Sequence, residues 1–283
     1  MPSIRVYQRH PRRPAMTGSR TVPSSRSPAG AAPEESIRIN KFFTRQGACS
    51  RREADGLIEA GRIRINGRVA VLGDRVGPED VITKDGVVVP WGNPPVYIKF
   101  HKPLGVTTTT ELDVPGNIIA YVGHPQRIFP IGRLDKDSTG LMLLTNDGDI
   151  VNEILRAEHQ HEREYLVRLD RPYDAAFPER MARGIVILGR VTRPCRLTPT
   201  GPREFRIILT EGRNRQIRRM CRALGYRVTA LHRTRIMNIA LGRLPVGRWA
   251  NLSDHERTEL FKALRRGSRT TTQTTRERVG RDA

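Results

Sequence analysis

The chain has 283 residues, 37% hydrophobic and 28% charged, with 50 Lys and Arg against 29 Asp and Glu and a formal charge of +21. That apolar share excludes a wholly disordered chain, and no apolar run reaches the roughly 18 residues that span a bilayer as a helix. Arg supplies 44 of the 50 cations, and residues 85–264 alone hold 28 basic and 19 acidic side chains. A folded body with this excess predicts a polyanionic partner, nucleic acid first and an anionic membrane surface second. A codon bias toward Arg accounts for the preference over Lys but not for the shortage of acids. No basic amphipathic helix with a Trp/Phe/Leu face supports a membrane partner. Cys49, Cys195 and Cys221 lie far apart and form no C-x-x-C pair, so neither a zinc module nor a disulfide framework is expected. The basic N-terminus lacks an apolar core, and a reducing, cytoplasmic setting is expected.

Residues 1–35 are rich in Pro, Ser, Arg and Gly without apolar period, and a disordered basic tail is expected there and again at 265–283. The breakers Pro90 to Pro95 separate a small block, 36–90, from a large one, 95–264. In the small block, Arg38 to Gln46 reads as a helix with Ile39, Phe42 and Phe43 on one side. Ser50 and Glu53 form a capping box for a second helix that stops at Gly61. Ile63 and Ile65, the hairpin signal Asn66-Gly67, and the pairs Val81-Ile82 and Val87-Val88 read as short strands. Arg38, Lys41 and Arg45 share one helical face, and Arg51 and Arg52 sit at the start of the second helix beside free backbone amides. Both sets suit an RNA backbone better than a plain solvated face.

In the large block, strands are expected at 96–100, 127–131, 141–144, 165–169, 185–188 and 205–209. Helices are expected after Asn146-Asp147-Gly148, from about Asp174 to Arg183, around Ile217, Met220, Cys221 and Leu224, and from the capping box Ser253/Glu256 to Leu264. The mixture lacks βαβ regularity and predicts an α+β domain with a mainly antiparallel sheet. The polar loop Gly132 to Gly140 lies between two apolar strands, a common place for catalytic groups. Asp135 could be a nucleophile there, kept ionised by Arg133 and Lys136, although an Arg-x-Asp turn by itself more often reads as structural. Arg215, Arg218 and Arg222 follow helical spacing, with Arg219 beside them, and no acid occurs between Gly212 and Asp254. A cationic ridge for phosphate is expected.

The small block resembles an S4 RNA-binding domain, through Ile39-Asn40-Lys41-Phe42, Cys49 to Ala54, Ile58 to Gly61 and Ile65-Asn66-Gly67. The large block resembles the rRNA pseudouridine synthases that carry such a domain. The resemblance rests on Lys102-Pro103-x-Gly105, Phe129-Pro130-x-Gly132-Arg133-Leu134-Asp135-x-Asp137-Ser138-x-Gly140-Leu141, Thr145 to Gly148, Glu164 to Val167 and Gly212-x-Asn214 to Met220. Asn214 to Met220 and Arg233 to Asn238 are similar to a branch that acts on 23S rRNA and can also act on a tRNA anticodon.

The resemblance implies isomerisation of uridine to pseudouridine with neither metal nor cofactor. It implies Asp135 as the catalytic carboxylate, attacking or assisting at the ribose, and Arg218 as its ion-pair partner. Tyr165 would stack on the uracil, and Arg133 would fill the space left by an extruded base. Substrate RNA, 23S rRNA with tRNA as a second possibility, is the implied partner, and a monomer the default state. The competing class is a non-catalytic ribosome-binding or assembly protein. It is set apart by requiring nothing of Asp135, Tyr165 and Arg218 as a group. A sibling synthase acting on another rRNA uridine is the nearer alternative.

Overall fold

The computed structural model describes residues 36–155 and 160–265. Both expected tails fall outside them, except that Arg265, assigned above to a tail, closes the final helix at 254–265. Among the described residues no helix is long and apolar enough to cross a membrane.

The small block folds around its own core. The helix Ile39–Arg45 buries Ile39, Phe42 and Phe43, residues three and four apart and therefore on one face. The helix Arg51–Glu59 begins with the expected capping box: Ser50 N donates to Glu53 Oε2 at 2.6 Å and Glu53 N to Ser50 Oγ at 3.2 Å. Four short antiparallel strands follow, in the spatial order Arg68–Val69, Ile63–Ile65, Ile82–Lys84, Val87–Val88. Trp91 folds back so that its ring lies 4.6 Å from that of Phe42. The small core therefore reaches one residue past the expected boundary at 90.

The large block is built on a nine-stranded sheet. Its main path is Arg196–Gly201, Glu204–Leu209, Arg163–Leu169, Val228–Ile236, Thr139–Thr145, Tyr97–Lys102 and Trp249–Asn251. Every pairing is antiparallel except one. Val228–Ile236 runs parallel to Thr139–Thr145, with His232 opposite Thr139 and Arg233 opposite Gly140. The centre of Thr139–Thr145, Leu141 to Leu144, is apolar throughout because both of its faces are covered. Leu141 and Leu143 enter one core, and Met142 and Leu144 enter the other, as the alternation of a strand requires. A third core packs the helices Phe177–Arg183 and Gln216–Ala223 against the far end of the sheet.

Several elements differ from expectation. The strand Val228–Ile236 and the helix Ile118–Val122 were not anticipated. In that strand His232, Arg233 and Arg235 interrupt the apolar alternation, yet Arg233 is buried. The helix expected from Asp174 begins at Phe177, because Asp174 Oδ1 accepts Ala176 N at 2.9 Å in a turn before it. The strand expected over 127–131 narrows to Phe129–Pro130. The 185–188 segment leaves the main sheet and pairs, as Val186–Ile187, with Arg190–Val191 in a separate hairpin.

The two blocks meet through charge. Lys41 ion-pairs with Asp149, Arg51 approaches the same carboxylate at 3.7 Å, and Arg127 reaches Glu53 at 3.7 Å. Arg45 lies close enough to Tyr97 to ease the upward push on its phenol from burial and from Asp147. Much of the cationic face expected to meet RNA is therefore turned toward the large block, where Asp149 offers Lys41 and Arg51 a carboxylate. Arg38 and Arg52 remain exposed.

Candidate active site

The loop from Leu134 to Ser138 is fixed carbonyl by carbonyl. Leu134 O accepts Thr108 Oγ1 at 2.7 Å, Asp135 O accepts Ser138 N at 3.1 Å, and Lys136 O accepts Gly105 N at 2.9 Å. Asp137 O accepts Arg218 Nη2 at 2.7 Å, and Ser138 O accepts Lys102 Nζ at 2.8 Å. Five consecutive acceptors are satisfied, one within the loop and four by Lys102, Gly105, Thr108 and Arg218. A loop held this way presents Asp135 with little freedom, the arrangement a catalytic side chain needs.

The Asp135 side chain is 30% exposed and opens on a cleft of about 600 Å³. Tyr165, Arg133, Arg215, Arg163 and Arg233 line the same cleft. Tyr165 is half-buried on the strand Arg163–Leu169, with the Arg233 guanidinium 6.0 Å from its ring centre. No hydrogen bond joins Tyr165 to Asp135; what they share is the cleft. Arg133 stands exposed on its rim. A larger groove of about 980 Å³ runs between the blocks, lined in part by Arg51, Arg62, Lys84 and Arg127. It lacks the Asp135 constellation.

The two arginines that meet Asp135 are held differently. Arg218 is 13% exposed and donates to Asp137 O, to Ser138 Oγ at 3.1 Å and to Val228 O at 3.2 Å. Its Nε is buried without a hydrogen-bond partner among the described residues and lies 3.8 Å from Asp135 Oδ2. Arg215 is nearer: Nη1 is 3.2 Å from Asp135 Oδ2, and the same guanidinium grips Asp137 at 3.1 and 2.9 Å. That grip holds the Asp137 carboxyl below the usual carboxylate range. The expected ridge of Arg215, Arg218 and Arg222 does not form as one face. Arg215 precedes the helix Gln216–Ala223 with a left-handed backbone (φ 49°), and Arg218 turns inward under the loop. Arg222 is exposed, and Arg219 folds onto Asn214 O and Oδ1 at 3.0 Å each.

Lys102 was read only as part of a motif, yet it is the cation beneath the loop. It is fully buried and donates to Pro103 O and Ser138 O. Burial lowers its pKa to about 8, and Asp137 and Asp135 partly oppose that shift. Its sequence signal was a charged residue ending the otherwise mostly covered strand Tyr97–Lys102. The depressed value has a consequence for stability. An unfolded lysine holds its proton up to about pH 10.4, so the cost of the buried charge is fully present below pH 8 and is relieved between the two values. The protein is expected to gain up to about 3 kcal/mol between pH 7 and 10 relative to Lys102→Met. Urea midpoints of both proteins at the two pH values measure it, and parallel pH dependences would remove the assignment.

The comparisons with known proteins agree with this geometry. Residues 96–223 match the RNA pseudouridylate synthase family and residues 37–82 the S4 domain. The chain is 48% identical over 238 residues to the dual-specificity RNA pseudouridine synthase RluF of Escherichia coli K12, covering 83% of this chain and 82% of that protein. It is 34% identical over 228 residues to the ribosomal large subunit pseudouridine synthase B of Bacillus subtilis, covering 77% and 93%. A crystal structure of a pseudouridylate synthase superposes with a TM-score of 0.58 at 30% identity, over 80% of this chain and 99% of that one. The two family matches and the 48% identity across most of both chains place this chain in the RNA pseudouridine synthase family, in the group with an N-terminal S4 domain.

Proposed function

We propose that this synthase isomerises a uridine of 23S rRNA, with a tRNA anticodon uridine as a second substrate, and that Asp135 is its catalytic carboxylate. One observation carries the assignment of the residue: Asp135 stands at an open cleft on a loop whose carbonyls are all satisfied, with two guanidiniums within 4 Å and Tyr165 in the same cleft. The substrate reading rests on the segments Asn214 to Met220 and Arg233 to Asn238, and on the relationship to the Escherichia coli enzyme. The enzyme acts as a monomer in the cytoplasm.

The reaction exchanges one bond for another within a nucleotide. The N1–C1′ bond breaks, the uracil turns, and C5 bonds to C1′. The C5 proton leaves and N1 gains one, so no electron or group enters from outside. A paired base must first leave its helix, at a cost of a few kcal/mol. Tyr165 offers a face on which the extruded uracil stacks. Arg133, on the rim, takes the space the base vacates. Arg218 orients Asp135 from beneath the loop. Phosphate contacts along Arg38, Arg52, Arg219, Arg222 and the interblock groove offset the cost of extrusion.

Carbodiimide-induced reverse-transcription stops on rRNA and tRNA, from cells with and without the gene, test the substrate. A stop in 23S rRNA and one in a tRNA anticodon, both restored by the wild-type gene but not by Asp135→Asn, are the expected result. An unchanged stop pattern overturns the proposal. The S4 block is a second point of test. Its core is separate from those of the large block, so a protein lacking residues 1–90 is expected to fold. Its affinity for substrate RNA is expected to fall by on the order of 100-fold at moderate salt, as several phosphate contacts are lost together. Unchanged affinity in a filter-binding titration would count against an RNA-binding role for the block.

A further inference from the structure

Arg215 and Arg218 both face Asp135, and their attachments make them unequal. Arg218 is nearly buried and tied to two backbone carbonyls and a hydroxyl. Arg215 is 41% exposed, and its guanidinium is held only by the carboxylates of Asp135 and Asp137. Where it now lies, Arg215 takes the Oδ2 atom that Arg218 Nε also faces. The buried Nε–H of Arg218 is left unbonded at 3.8 Å, a costly state for a buried donor. A small closure of Arg218 onto Oδ2 would satisfy it.

A nucleotide bound for reaction brings its ribose to Asp135 and its flanking phosphates one sugar's width away. A full negative charge then arrives within reach of Arg215, which is exposed enough to turn to it. Guanidinium binds phosphate in the same forked geometry as carboxylate. Asp137 is placed to keep the side chain close during the exchange, since its bonds to Arg215 do not involve Asp135.

We propose that Arg215 is a movable counter-ion: on substrate binding it gives up Asp135 for a phosphate flanking the target uridine, and Arg218 Nε–H closes on the freed carboxylate oxygen. The exchange conserves the number of ion pairs. It couples a free, correctly oriented Asp135 to the presence of a seated nucleotide. Arg215 is thus a positioning residue that reads the RNA backbone at the reacting nucleotide. The inference rests on the catalytic reading of Asp135 given above.

Full-length wild type and Arg215→Gln are compared in single turnovers on a stem-loop RNA containing the mapped uridine. The two phosphates flanking that uridine are left intact or replaced, one at a time, by an uncharged methylphosphonate. In wild type, one replacement is expected to raise the half-saturating RNA concentration about tenfold, the effect of one charge-assisted contact. The maximal rate falls less than about threefold. Arg215→Gln is expected to show the same rise on intact RNA, and the same replacement then adds nothing. Arg215→Lys recovers part of the affinity, and it carries the comparison if Arg215→Gln melts early. The inference is overturned if neither replacement matters in wild type, or if replacement and substitution multiply. It is also overturned if Arg215→Gln lowers the maximal rate with half-saturation unchanged. Failure of wild type to form pseudouridine at all instead overturns the catalytic reading beneath it.

Discussion

Asp135→Asn is expected to stop pseudouridine formation while leaving RNA binding intact. Asparagine keeps the size of the side chain but removes the charge that the ribose or uracil ring must meet. Loss of a residue that acts directly on the reacting atoms costs on the order of 10⁴-fold or more in kcat. The fold has little reason to respond. The loop is held through its carbonyls, and the Asp135 side chain bonds only to arginines that keep other partners. Arg215 retains Asp137, and Arg218 retains Asp137 O, Ser138 Oγ and Val228 O. Affinity for RNA is expected to stay within about threefold of wild type or to tighten slightly, because Arg215 no longer has a carboxylate to leave. Carbodiimide mapping of a treated transcript gives the activity, and filter binding at one fixed salt concentration gives the affinity. Activity within a hundredfold of wild type would remove Asp135 from the chemistry.

What could be read from the sequence followed how local the cause was. The capping box at Ser50 and Glu53 is a local contest for backbone amides, and it is formed as read. The grouping of Asp135, Tyr165 and Arg218 at one site depended on motif resemblance, because nothing local in the 82 residues between Asp135 and Arg218 connects them. Arg215 was assigned to RNA contact by helical spacing. Its left-handed backbone sets it ahead of the helix, where it pairs with Asp135 and Asp137, a placement that helical spacing did not signal. The docking of Lys41 on Asp149 had no sequence signal, since a pair of charges 108 positions apart leaves no periodicity. The strand Val228–Ile236 was hidden for a related reason. Its cations break the apolar alternation that marks a strand, yet Arg233 is buried and satisfied by Leu141 O at 2.7 Å and Met142 Sδ at 2.8 Å.

That same strand makes Gly140 the position where the smallest substitution should do the greatest structural harm. Gly140 stands at the only parallel pairing of the described sheet, opposite Arg233 on one side and Lys102 on the other. Its φ is +108°, a region that L side chains rarely adopt. A Cβ built there would lie 2.3 Å from Arg233 O and 2.6 Å from Arg233 N. Those are backbone atoms of a paired strand, so no side chain can turn aside to make room. Relief requires Val228–Ile236 to move off Thr139–Thr145, which opens the ladder and withdraws Arg233 from Leu141 O. It also disturbs Ser138, two residues away, and with it the anchor between Lys102 and the catalytic loop. Backbone strain and steric overlap together are expected to cost more than about 4 kcal/mol for Gly140→Ala. For a chain of this size that is a fall of about 10 °C or more in Tm. Thermal unfolding followed by far-UV circular dichroism measures it, with Gly67→Ala as control, because that turn glycine also has positive φ but meets nothing within 4 Å. Equal losses in the two variants would mean that conformation alone, and not the approach of the Arg233 backbone, governs Gly140.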